Sequence, residues 1–136
     1  MPSEDPTPAT LVAIRAAHHP ETNPKYDRVV FEFDGPIPLL HLQYVDQLIA
    51  DGSGAPIFLA GQAIMRVQFM PANAHDDRYN STAPQRMKPG MPLVKEIVSA
   101  GDFEAVVTYG IGLARKAETR MLTLAEKSRV VIDFFL

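Results

Sequence analysis

An antiparallel β-sandwich or partly open barrel is the fold this sequence predicts, on three observations. The first is a pair of similar ribbons at opposite ends of the chain, Asp27-Arg-Val-Val-Phe-Glu-Phe and Ser128-Arg-Val-Val-Ile-Asp-Phe. Alternate residues of a strand share a face, so Val29, Phe31 and Phe33, like Val130, Ile132 and Phe134, are expected to face a common core. The second is a series of about seven or eight short apolar runs at regular spacing. The third is the Gly, Pro, Asn and Asp that separate those runs. If the two ribbons are antiparallel neighbours, Arg28 falls opposite Asp133, Val30 opposite Val131 and Glu32 opposite Arg129. Two ion pairs would then flank a valine pair, each contributing ~0.2–1 kcal/mol.

Each element follows in order. Residues 1–9 read as a disordered tether, Pro-rich and acidic, with no basic start and no apolar stretch of the signal-peptide kind. A single domain is expected over 10–136. Thr10 to Ala16 is a first strand, His18 to Tyr26 a loop, and Asp27 to Asp34 a strand stopped by Gly35-Pro36. Leu39 to Val45 alternates Leu40, Leu42 and Tyr44 against His41 and Gln43, with an extension through Leu48 and Ile49 possible. Asp51-Gly-Ser-Gly predicts a hairpin returning through Ile57, Phe58 and Leu59, and Ile64 to Met70 is the next strand. Pro71 to Gly90 reads as a long polar loop, which in a compact domain points towards function.

One short helix is expected over 92–100. Pro92 suits its first position, Leu93 with Ile97 and Val94 with Val98 form an apolar face, and Gly101 suits the cap. Phe103 to Ile111 reads as a strand with Phe103, Ala105, Val107, Tyr109 and Ile111 inward; Gly110 and Gly112 mark a bulge or a close backbone approach. Thr119 to Leu124, a turn at Glu126 to Ser128 and the final ribbon complete the chain. Phe134, Phe135 and Leu136 suggest an uncovered strand edge, hence a monomer or weak homodimer.

Composition narrows the function. The 136 residues are enough to bury a core, 46% of them are apolar and 21% charged, and the net charge of −3 argues against nucleic acid or an anionic membrane as partner. No apolar run is long enough to span a bilayer as a helix. With no cysteine, thiolate catalysis and sulfur-ligated zinc are excluded. Gly110-Ile-Gly112 lacks the third glycine of a dinucleotide loop, and Ser53 sits in a hairpin turn without the strand and helix of a nucleophile elbow. No catalytic residue and no cofactor is assigned.

The remaining chemistry lies in the loops. His18, His75, Asp76, Arg78, Tyr79, Asn80 and Arg86 are the candidate ligand-binding residues, a polar and aromatic set able to hold a carbohydrate or an anionic polymer; the alternative is an ordinary solvated loop. His18, His19, His75, Asp76 and Asp77 are the metal-capable group, because imidazole and carboxylate complete a site when loops converge. Adjacent histidines point to opposite sides of an extended chain, so only one of His18 and His19 would face a given ion. A metal-dependent hydrolase using His18, His75, Asp76 and Asp77 is therefore one alternative function, and a structural or assembly role through a strand edge is another.

The paired ribbons, the first running on into Asp34-Gly35-Pro36, resemble the AMIN domain of bacterial cell-envelope proteins. More specifically, the sequence resembles the AMIN-like domain of bacterial lipoproteins and secreted proteins. Further matches are Tyr44-Val-Asp-Gln, Asp51-Gly-Ser-Gly, Leu59-Ala-Gly, Ala74-His-Asp and Gly101-Asp-Phe-Glu, so the resemblance covers nearly all of Thr10 to Phe134. It implies an extracytoplasmic, non-enzymatic domain that binds a cell-wall polymer or an envelope protein. The precursors of that family usually carry an export signal or a lipid-attachment cysteine, and the sequence shows neither.

Overall fold

The computed structural model describes residues 7–136 and shows two sheets packed face to face, antiparallel except for one short parallel pair, the expected all-β class. The first sheet is built from β1 (Ala9–His19), β2 (Tyr26–Asp34), β7 (Ala72–Asn73), β11 (Thr119–Leu124) and β12 (Arg129–Phe135), in the order β11-β12-β2-β1-β7. The second contains β3 (Leu39–Val45), β6 (Ala63–Met70), β8 (Arg86–Met87), β9 (Val94–Phe103) and β10 (Val106–Leu113), in the order β3-β6-β10-β9-β8. A separate ribbon pairs β4 (Leu48–Ile49) with β5 (Pro56–Ile57). Of the tether expected over 1–9, residues 1–6 lie outside the described residues, and Ala9 is already buried in β1.

The two similar ribbons lie side by side as β2 and β12, in the expected register: Arg28 faces Asp133, Val30 faces Val131 and Glu32 faces Arg129. Both ion pairs form, Arg28 to Asp133 at 2.7 Å and the looser Arg129 to Glu32 at 3.7 Å. Val29, Phe31, Phe33, Val130, Ile132 and Phe134 are buried in the core. Aromatic rings join the sheets across it: Phe69 of β6 lies 4.8 Å from Phe31 and 4.9 Å from Phe33, and Tyr109 of β10 lies 5.8 Å from Phe31. These tilted geometries suit the ring quadrupoles.

Several expectations are corrected. The segment 92–100 is not a helix but belongs largely to the strand β9. Its inner face, with Ile97, packs into the core, while Glu96, Val98 and Ala100 on its outer face are buried as well. A strand covered on both sides loses its polar alternation, and the i, i+4 apolar spacing then imitates a helix. The outer cover is the β4–β5 ribbon. Leu48 sits where a side chain on Gly110 would collide with it, and the carbonyl of Ala60 does the same at Gly112, so these glycines mark the close approach that the sequence suggested.

β10 begins at Val106 rather than Phe103, after a two-residue turn of Glu104 and Ala105, both with positive φ. Phe103 is consequently 68% exposed instead of inward. β1 runs on through His18 and His19, which belong to a strand and not to a loop. β12 lies between β11 and β2, so Phe134 sits in an interior strand; the outer strand is β11, exposed along its whole length. The segment 71–90 is anchored at both ends, by β7 alongside β1 and by β8 against β9. Ala72, Ala74 and Ala83 of that segment are buried against the core.

Candidate functional site

The anchored segment 71–90 presents a short protruding turn. A bridge between His75 and Ser81 closes its base. Within it, one oxygen of Asp76 accepts the backbone N–H groups of Arg78 at 2.8 Å and Asn80 at 3.0 Å. These donors, Asn80 first, hold the Asp76 carboxyl below the usual carboxylate range. Asp76 therefore shapes the backbone, which carries Tyr79 in the left-handed region at φ 62°. Positive φ is uncommon for a bulky residue and is retained where the surroundings impose it. Here it sets the Tyr79 ring, 81% exposed, parallel to the imidazole of His75 at 4.8 Å and 16°.

His75 is oriented from its other side. Its Nδ1 lies 2.6 Å from Oδ2 of Asp102, near the end of β9. The carboxylate oxygen accepts, so Nδ1 carries the proton of this hydrogen bond. The second oxygen of Asp102 is buried and has no hydrogen-bond partner among the described residues. Beyond Asp102 stands the exposed ring of Phe103, followed by the Glu104–Ala105 turn, so three non-glycine residues of positive φ cluster around one His–Asp pair.

Three clefts meet at His75 and Tyr79, and both residues line each of them. One, of about 480 Å³, reaches Thr10, Asp34 and Asn73. A second, of about 380 Å³, reaches Ser81, Ser99 and Gly101 under the β4–β5 ribbon. The third, of about 360 Å³, runs along Phe103 to Ala105. Behind this rim Tyr109 donates its hydroxyl to the carbonyl of Pro84 at 2.7 Å, and burial, helped by the charge of Asp102, pushes its phenol up to about 12. Two stacked rings, one of them open to solvent, beside fixed polar groups form a surface suited to the apolar face and hydroxyl edge of a sugar.

Of the residues singled out from sequence, His75, Asp76 and Tyr79 come together here. Asn80 and the exposed Arg78 lie on the same turn. Arg86 is elsewhere: it pairs with the buried carboxylate of Glu96 and reaches the carbonyl of Phe58, clamping the β4–β5 ribbon. His18 is also elsewhere. β7, which leads to His75, joins β1 at Ala9 and Thr10, and His18 stands roughly 25 Å further along at the strand rise of β structure. It contacts Asp27 at 2.6 Å, while His19 points to the other side and stacks on Tyr26 at 4.7 Å.

The set His18, His75, Asp76 and Asp77 therefore does not assemble, and no cluster of three or more His, Asp or Glu arranged for a metal occurs among the described residues. Asp102 and Phe103 were missed as site residues. Their signal was Gly101-Asp-Phe-Glu, a match to the resembled family that now lies against another such match, Ala74-His-Asp. No helix among the described residues is long and apolar enough to cross a membrane.

A search of the curated proteins returns no match. A family model does match, that of the AMIN-like domain, over residues 9–135. This span takes in both sheets and the His75 turn, and the chain belongs to the AMIN-like domain family.

Proposed function

We propose that this domain is a non-catalytic module of the bacterial cell envelope that binds a glycan, peptidoglycan being the prime candidate, on the Tyr79–His75 platform. Family membership supports the envelope context. The observation that carries the ligand class is the exposed, conformationally fixed Tyr79 ring stacked on a His75 that Asp102 orients. An exposed aromatic held rigidly in advance loses little entropy on stacking against a sugar, and neighbouring polar atoms set the orientation. Extracytoplasmic placement accords with such a ligand.

Co-sedimentation with purified peptidoglycan tests this reading. The wild-type domain is expected in the pellet, and Tyr79→Ala is expected to weaken binding roughly tenfold, as the loss of one aromatic anchor does. Pelleting no greater than that of an inert protein, or unaffected by Tyr79→Ala, would overturn it.

A further inference from the structure

A cleft of about 930 Å³ lies at the opposite end of the sandwich, beside the β1–β2 turn. Its cationic lining is Arg115 and Lys116 from the β10–β11 connection and Arg120 from β11, with Glu118 as the one acidic side chain; the side chains of Phe135 and Leu136 give it an apolar side. In a chain of net charge −3 this is a local reversal of sign.

The cleft is built in advance. The Tyr44 hydroxyl donates to the carbonyl of Ala117 and accepts its N–H, both at 2.8 Å, which fixes the connection carrying Arg115 and Lys116. Phe135 donates its N–H to the carbonyl of Glu118, and Leu136 donates its N–H to that of Lys25, tying the walls together. Arg120 is held by the fully buried Asp133, at 2.6 and 3.1 Å, and its guanidinium lies over the rings of Tyr26 and Phe135. Asp133 is shared with Arg28, so one carboxylate faces two guanidinium groups and leaves positive charge in excess. Arg115 and Lys116 are exposed, and neither pairs with a carboxylate among the described residues.

We infer that this cleft is a second binding site, separate from the Tyr79 platform, and that it takes a phosphodiester anion. Two guanidinium groups and an ammonium, supplied to one cleft by a connection and a strand, suit the two non-bridging oxygens of a phosphodiester, which accept charge-assisted hydrogen bonds. The aromatic and aliphatic side accommodates the carbon chain that joins successive phosphates. Such a group occurs in a glycerol-phosphate polymer and in the headgroup of an anionic lipid.

The test titrates the isotope-labelled domain at low salt with a glycerol-phosphate oligomer and, separately, with phosphatidylglycerol vesicles against phosphatidylcholine vesicles. Amide shifts or broadening confined to Arg115–Arg120 and Phe135 are expected with one of the two phosphate sources, and which source responds identifies where the phosphate comes from. The double variant Arg115→Ala/Lys116→Ala, whose side chains are exposed, should keep the wild-type urea midpoint and bind at least about tenfold more weakly, as loss of charge-assisted hydrogen bonds does. Lys88→Ala, which removes one charge elsewhere, should bind as the wild type does. No response to either source, or an equal loss in Lys88→Ala, would overturn the site.

Discussion

Two His–Asp pairs in this domain share one geometry and differ in their consequences. His18 with Asp27 and His75 with Asp102 both join Nδ1 to a carboxylate oxygen at 2.6 Å, and both imidazoles are about three-quarters covered. The difference lies in the second carboxylate oxygen. That of Asp27, a fully buried residue, accepts the N–H groups of Leu93 and Val94 at 2.7 and 3.0 Å and so ties β2 to the start of β9 across the two sheets. That of Asp102 has no partner among the described residues, and its histidine stacks on an exposed tyrosine. One pair is consumed by the fold; the other is held by the fold and left open. A histidine beside an aspartate therefore says little until the rest of the carboxylate is accounted for.

Removing Asp27 is the severest way to break that comparison. Asp27→Ala leaves two buried backbone donors and a histidine without their acceptor, at a cost of about 3 kcal/mol. A urea unfolding series should show the midpoint fall sharply with the slope unchanged. A loss below about 1 kcal/mol would mean that water or a shifted β9 replaces the carboxylate.

The same contrast explains what could be read from the sequence. The β2–β12 register was legible because matching Arg–Val–Val ribbons with opposed end charges admit one alignment that pairs both ions and both valines. His75 and Tyr79 were legible as polar residues concentrated in one stretch. Asp102 was not, because its partner is 27 positions away and nothing in either segment encodes their meeting. The turn that exposes Phe103 was hidden as well, since Glu104 and Ala105 occupy a conformation usually signalled by Gly or Asn. β9 reads as a helix because, although the Asp51 hairpin is legible, its docking over the outer face of β9 and β10 is a tertiary feature, signalled in sequence by the glycines beneath it.

Asp133 extends the comparison to pH. Burial acts to raise its pKa, but the hydrogen bonds and charges of Arg28 and Arg120 outweigh burial and hold it below the ordinary value. A depressed carboxylate contributes stability that is present in full above its unfolded pKa, about 4, and is lost as pH falls through the lower folded value. The wild type should therefore lose stability below about pH 4 more steeply than Asp133→Asn. At neutral pH that variant should already be weaker by about 1–3 kcal/mol, having lost charged hydrogen bonds to two guanidinium groups. Chemical denaturation at a series of pH values measures both. Parallel acid limbs for the two proteins would show that other carboxylates govern the acid response.

The smallest expected effect on stability is the most informative one. Asp102 is partly exposed, holds one histidine and supports no backbone group, so Asp102→Ala should shift the unfolding free energy by less than about 1 kcal/mol, the range of exposed ion pairs. It should nevertheless weaken pelleting with peptidoglycan, because His75 loses the contact that fixes its ring and its protonated nitrogen while Tyr79 loses a fixed stacking partner. Asp27→Ala separates the same two readouts in the opposite direction: the fraction that remains folded should bind normally, since the His18 pair lies at the far end of β1. If Asp102→Ala proved as destabilising as Asp27→Ala and bound no worse per folded molecule, both pairs would be structural, and the platform would have to be sought away from His75.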